Sequence, residues 1–222
     1  IAESLRAVRT NLQFISHKPG PKVIAITSTI SGEGKTFVAV NLAGVIAISG
    51  KRVILLDSDM RKPKIHENFG IENKKGLSTI LSNKDEIDDC ILQSSNKNLD
   101  IITAGPIPPN PSELLLSEKM ETLTSYLKSK YDFIIIDNPP IGIVTDGMRN
   151  IQLSDYPIYI FKANYSKKIY IQNTEHLVKE SQIKNLSLLL NSLEPGSVVN
   201  GYQSGYNSRY GGKHGYGYGY GY

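Results

Sequence analysis

One lysine, one threonine and three aspartates carry the chemistry of this chain. The apolar run Val23-Ile-Ala-Ile26 gives way to a small-residue loop ending Gly32-Glu33-Gly34-Lys35-Thr36, and an apolar helical pattern from Phe37 to Ile48 follows at once. Strand, glycine loop and helix in that order form an anion cradle. Backbone N–H groups of the loop and of the helix N-terminus point at the anion, and the helix dipole adds to their pull. Lys35 then reaches the β/γ-phosphates of a nucleotide, and Thr36 offers its hydroxyl to Mg²⁺. Ser31, Gly32, Glu33, Gly34, Lys35, Thr36 and Phe37 are the candidate cofactor-binding residues of this segment. The general form of such a loop has glycine at position 29, where this chain has Thr29. A Gly-Lys-Thr triplet alone also fits a plain βα turn, so the rest of the chain has to decide.

The aspartates decide it. Arg52-Val-Ile-Leu-Leu-Asp57 and Tyr131-Asp-Phe-Ile-Ile-Ile-Asp137 are continuous apolar runs that end in acid, with Asp59 two residues beyond the first. Such runs suit strands buried on both faces of a parallel sheet, whose carboxyl edge is where open α/β sheets bind ligands. Three carboxylates beside a triphosphate make sense only with a divalent cation between them. Asp137 fits a Mg²⁺ ligand, together with Thr36 and Asp59. Asp57 is taken as the base that accepts a proton from an attacking hydroxyl, although the residues alone leave the roles of Asp57 and Asp59 interchangeable. A single strand-end aspartate often only caps a turn; three on one edge do not fit that reading.

The elements that position these groups follow from the pattern. Residues 2–16 read as a helix with Leu5, Val8, Leu12 and Ile15 on one stripe and Glu3, Arg6 and Arg9 on another. The charged stripe is either a solvated face or a docking surface for a second copy. Lys18-Pro-Gly-Pro21 ends that helix. Further strands are expected at 99–105, 156–161 and 186–190, and helices at 76–81, 112–130 (capped by Ser112) and 167–184. Residues 64–98 are otherwise polar and irregular. Strands alternating with helices predict an α/β, doubly wound, mostly parallel sheet covered on both faces, in a domain spanning 1–200. At 222 residues one sizeable core is the expectation.

Composition narrows the classes. The net charge of +4 by itself argues neither for nor against nucleic acid. With nothing else in its favour no nucleic-acid partner is expected, and the basic pairs Arg61-Lys62 and Lys167-Lys168 are of a kind usually just solvated. The single cysteine, Cys90, builds no disulfide framework and suits a reducing compartment. No window approaches the roughly 18–20 apolar residues of a membrane span, and no secretory signal is present. The chain begins with Ile1 rather than Met, which reads as a fragment of a longer protein. Residues 201–222 interleave glycine with seven tyrosines (Tyr202, Tyr206, Tyr210, Tyr216, Tyr218, Tyr220 and Tyr222) and hold no acid and no aliphatic residue. Such a segment buries too little apolar surface to offset its ordering entropy, so disorder is expected.

Taken together, these residues resemble the cytoplasmic kinase domain of bacterial tyrosine autokinases, the group that contains the Wzc-like polysaccharide co-polymerases. The likeness covers nearly the whole chain. It rests on Gly34-Lys35-Thr36, on Ile54-Leu-Leu-Asp-Ser-Asp-Met-Arg61, on Phe133-Ile-Ile-Ile-Asp137 with Pro139-Pro140, on Gly105-Pro-Ile-Pro-Pro-Asn-Pro-Ser-Glu-Leu114, on the Glu3/Arg6/Arg9 stripe and on the tyrosine-rich end. Two departures stand out: Asn138 where the family usually has threonine, and a divergent stretch from Gly147 to Tyr156. The resemblance implies an ATP- and Mg²⁺-dependent protein-tyrosine kinase that phosphorylates its own terminal tyrosines and serves capsule or exopolysaccharide export. It also implies Asn191 at the nucleotide base and a homo-oligomeric ring of eight joined through Glu3, Arg6 and Arg9. A membrane activator region on the parent chain, a tyrosine phosphatase partner and a place on the cytoplasmic side of a bacterial inner membrane complete the expectation. The alternative is an ATPase switch of the ParA/MinD kind whose tail is an interaction module. Those proteins usually carry a lysine near the position of Ile30, and its absence weakens that alternative.

Overall fold

The structure is a computed structural model that describes residues 2–15, 19–142 and 147–193. The chain divides into a unit spanning Ile1–Asn191 and a second, Ser192–Tyr222. The seven terminal tyrosines lie outside the described residues.

The apolar runs form the centre of a seven-stranded sheet in the order β3-β4-β2-β5-β1-β6-β7. Its strands are β1 (Lys22–Ser28), β2 (Val53–Asp57), β3 (Leu92–Gln93), β4 (Leu99–Ile102), β5 (Phe133–Asp137), β6 (Tyr156–Lys162) and β7 (Ser187–Asn191). All neighbours are parallel except β3, which pairs antiparallel with β4. Side chains alternate between two helix-covered faces, the doubly wound arrangement expected. Ile24, Ile26, Leu55, Ile135 and Ile160 face helix α2 (Lys35–Ile48) and, beyond it, α1 (Ala2–Ile15). Ile54, Leu56, Ile134 and Ile136 face α4 (Leu77–Leu81), α5 (Pro111–Leu116) and α6 (Glu118–Lys130). On that same side, Tyr159 and Phe161 pack with α7 (Met148–Leu153) and α8 (Ile169–Glu180).

Several elements differ from expectation. The helix foreseen at 112–130 is two helices that break at Ser117, whose backbone is extended (φ −70°, ψ 153°). Asn110 rather than Ser112 precedes the first of them, with Pro111 at its first position, where the missing N–H costs nothing. The irregular stretch 64–98 holds the edge strand β3 and the short helix α3 (Ile65–Phe69). Both are too short for periodicity to reveal. Helix α8 is shorter than 167–184 by a few residues at each end.

Helix α1 spends its apolar stripe at home. Leu5 and Leu12 are buried and Val8 partly so, all against the α2 side of the core. Leu42 lies at the heart of that cluster with no exposed surface. Leu42→Ala should therefore cost about 3 kcal/mol, the sum of lost transfer energy and a cavity. A urea titration reads it as a lower midpoint with an unchanged slope.

Candidate active site

Register brings the acids together. Asp57 and Asp137 are direct partners at the carboxyl ends of β2 and β5, and Asp137 also aligns with Ile26 of β1, just before the glycine loop. The Lys35 side chain, on the first residue of α2, lies between the carboxylates. Its Nζ is 2.9 Å from Asp59 Oδ2 and 3.5 Å from Asp137 Oδ1. All four groups are buried, with Asp57 wholly inaccessible.

Each carboxylate is held differently. Asp57 accepts the backbone N–H groups of Lys64 and Ile65 at one oxygen, both at 3.0 Å, and that of Asp59 at the other, at 3.2 Å. Asp59 turns one oxygen to Lys35 and takes the Lys62 N–H at the other, at 3.1 Å. Asp137 Oδ1 is buried and has no hydrogen-bond partner; Lys35 stands near it as a charge without the geometry of a bond. An orphaned buried carboxylate oxygen beside a cation fits a site that receives a divalent metal. Among the described residues no three acids or imidazoles already form a cation cage.

The electrostatics follow from this crowding. Burial pushes the Asp57 carboxyl up, and the Asp137 charge pushes it further, to about 7. Burial likewise raises Asp137, against the pull of Lys35 and of the Thr36 hydroxyl. For Lys35, burial acts to release the proton, but Asp137 and Asp59 outweigh it and leave the ammonium above its ordinary value.

The glycine loop meets these groups from the other side. Gly32 and Gly34 have φ of +91° and +97°, which side-chain-bearing residues adopt only under strain. A Cβ at Gly34 would also strike the Asn191 amide. The loop is held by Glu33, which is 1% exposed. One of its carboxylate oxygens accepts the Ile30 N–H at 2.8 Å and the other accepts the Ser166 hydroxyl. Asn191 Nδ2 donates to the Glu33 carbonyl at 3.1 Å, and the Tyr165 hydroxyl to the Ser31 carbonyl at 3.0 Å. Thr29, which replaces the expected glycine, is buried and accepts a hydrogen bond from Tyr159 at 3.2 Å.

Of the residues singled out beforehand, Ser31 through Thr36, Asp57, Asp59, Asp137 and Asn191 therefore meet at one edge. Phe37 follows in the first turn of α2 and is 45% exposed. Glu3 and Arg6 lie elsewhere, on the exposed side of α1, paired at 3.2 Å. Arg9 departs from the stripe: it is half-buried and reaches the Val45 carbonyl of its own α2. Tyr165, Ser166 and Asn150 were not foreseen. Tyr165 and Ser166 follow β6 and reach the glycine loop, and Asn150 lies in α7 beside Asn138; only these contacts between distant segments reveal them.

Comparison with known proteins supplies the family. The pattern of the AAA domain family matches residues 21–188. The chain is 37% identical to the tyrosine-protein kinase YwqD of Bacillus subtilis over 190 residues, 86% of this chain and 80% of that one. The chain belongs to the bacterial tyrosine-kinase family. It is a protein-tyrosine kinase. The solved kinase domain of Escherichia coli tyrosine kinase ETK superposes with a TM-score of 0.82 at 29% identity, covering 99% of this chain and 80% of that one. The cell division ATPase MinD of Pyrococcus furiosus shares the fold alone, with a TM-score of 0.62 at 22% identity over 76% of this chain and 69% of that one. Membership of the family carries ATP binding with it.

An acid whose pKa is raised by folding favours the fold below the ordinary carboxylate range, and that advantage drains as pH climbs to the raised value. For Asp57 the window runs from 3.8 to about 7. Asp137→Asn removes one of the two crowded charges and relieves the other. The nucleotide-free variant should melt on the order of 5 °C above the parent at pH 8, with the gap closing toward pH 5, while phosphotransfer is lost. Calorimetry at the two pH values reads the difference.

Proposed function

We propose that the chain transfers the terminal phosphate of ATP to tyrosines of its own segment 201–222. In this reading the tail of one subunit enters the site of a neighbour in a ring. The observation that carries the chemistry is the meeting of Lys35 with Asp59 and Asp137 in a buried cluster at the mouth of the glycine loop. Lys35 would turn from the acids to the β/γ-phosphates once a nucleotide enters. Thr36, Asp59 and Asp137 would hold Mg²⁺, which supplies the positive charge between phosphate oxygens and carboxylates. Asp59 and Asp137 both face the Lys35 ammonium and so already surround a cation position. Asp57 is left as the acceptor of the tyrosine hydroxyl's proton, and Asn191, beside Gly34, would contact the base.

Reach and charge support the tail as substrate. The 31 residues from Asn191 to Tyr222 span about 30 Å if flexible, against a radius of gyration of roughly 17 Å for a domain of this size. Glycine between tyrosines makes little steric demand on a cleft. Each phosphate would add about −1.5 to −2 charges to a segment whose only fixed cations are Arg209 and Lys213. Repulsion among such tails would loosen the ring, which the family resemblance puts at eight subunits joined through Glu3, Arg6 and Arg9. By the same resemblance the chain would lie on the cytoplasmic side of a bacterial inner membrane. There it would work beside a membrane activator region and a tyrosine phosphatase, in capsule or exopolysaccharide export. Among the described residues no helix is long and apolar enough to cross a membrane.

Incubation with ATP and Mg²⁺ followed by an anti-phosphotyrosine blot tests the substrate. Signal in the parent should vanish in Lys35→Met and on deletion of 201–222; nucleotide turnover without phosphotyrosine would instead favour a switch. Sedimentation of Arg6→Ala/Arg9→Ala should show smaller species than the parent, and equal assembly would remove α1 from the interface.

A further inference from the structure

Behind the carboxylates lies a buried polar cluster that touches none of the reacting groups directly. Ser58 stands between Asp57 and Asp59, and Asn138 directly follows Asp137. The Ser58 hydroxyl donates to Asn138 Oδ1 at 3.0 Å, and Asn150 Nδ2, from α7, donates to the same oxygen at 2.8 Å. Asn150 Nδ2 also lies 3.5 Å from the Ser58 hydroxyl, which closes the triangle. Asn138 Nδ2 donates to the carbonyls of Ile26 and Ile136 at 3.3 and 3.2 Å. The Asn138 amide is thereby saturated, with two donors on its oxygen and two acceptors on its nitrogen. Ser58 and Asn138 have no exposed surface and Asn150 has 5%.

One side chain thus joins β1, the turn after β2, the end of β5 and helix α7. A threonine at position 138 would have a single hydroxyl and could not span those four elements. Asparagine there carries an oxygen that the Ser58 hydroxyl alone would leave half satisfied in the interior, where that is costly. Asn150 supplies the second donor. Helix α7 is in turn held from outside by the ion pair of Arg149 with Glu121 of α6 and by the buried Ile151.

We infer that Asn138 and Asn150 are a pair of positioning residues for phosphotransfer. They lock the Asp57–Asp59 turn against Asp137, so that the three carboxylates and Lys35 hold their spacing before a nucleotide arrives. The inference rests on the phosphotransfer reading of this edge and adds to it two residues that meet no substrate atom. A network that orients acting groups without touching the ligand affects turnover more than binding.

Four proteins test it: the parent, Asn138→Thr, Asn150→Val and the double variant. Each is assayed for kcat and for KM of ATP with a tyrosine copolymer as acceptor, for affinity toward a fluorescent ATP analogue, and for thermal midpoint. Asn150→Val in the parent background should lower kcat about tenfold, with KM and analogue affinity within about twofold, because the Gly32–Thr36 cradle is untouched. In the Asn138→Thr background the same change should cost less than about threefold, since the threonine hydroxyl needs no second donor. The midpoints should be non-additive in the same sense. Unchanged kcat in Asn150→Val, an equal loss in both backgrounds, or a loss confined to KM would each overturn the pair. A parent that transfers no phosphate to the copolymer would instead sink the kinase chemistry of the edge, and the coupling between midpoints would still judge the pair.

Discussion

Strand register is the constraint from which the rest follows. Because β2 pairs in step with β5, Asp57 and Asp137 end side by side in the interior, and two ionised carboxylates at that spacing cannot both be comfortable. The fold answers with Lys35, with backbone N–H groups from the turn before α3, and with a shift of the acids toward their protonated forms. None of these removes the strain entirely, since one oxygen of Asp137 stays without a hydrogen bond. The nucleotide-free edge is therefore electrostatically unfinished. A bound cation would complete it, and binding free energy becomes available where the chain alone is least stable.

The anion loop shows the opposite economy: it is preformed. Loops that close around phosphate usually rely on glycine to reach tight backbone angles, and this one keeps glycine only at 32 and 34. At position 29 the chain is held by a Tyr159 hydrogen bond, and across the loop the buried Glu33 carboxylate ties Ile30 to Ser166. An acid so near a phosphate site would repel its ligand if it faced the cradle. Here its two oxygens are taken up by an N–H and a hydroxyl, so it acts as a clamp. Because Ser166 follows β6 and Asn191 ends β7, the far half of the sheet helps to fix the geometry of the first loop.

Much of this was legible in the sequence, for physical reasons. Val23–Ile26, Val53–Leu56 and Phe133–Ile136 are apolar without alternation, and only a sheet covered on both faces uses such runs. The acid that ends two of them, and the glycine-lysine-threonine step after the other, located the site to within a few residues. What stayed hidden depends on contacts between distant segments. Nothing near Asn150 announces that it reaches Asn138, and Ser166 looks like any loop serine until β6 is laid beside β1. The helix expected at 112–130 is interrupted by the single extended residue Ser117 between α5 and α6. Hydrophobic spacing cannot register one extended residue.

Helix α1 limits what any assembly could be. Its apolar stripe is already consumed against α2, so what it offers outward is charge, with Glu3 and Arg6 paired and largely in water. Exposed ion pairs of this kind contribute a few tenths of a kcal/mol each and are screened by salt. Arg9, turned back to the Val45 carbonyl, would have to give up that bond to meet a neighbour. Subunits joined through this face would be held by several weak charged contacts rather than by a dry apolar seam. Such an interface is easily tipped by a few added charges, and a tail that gains close to two negative charges with every phosphate is a source of them. If the proposed function holds, weak cohesion at α1 and charging of the tail would act together, and catalysis itself would limit how long an assembly lasts.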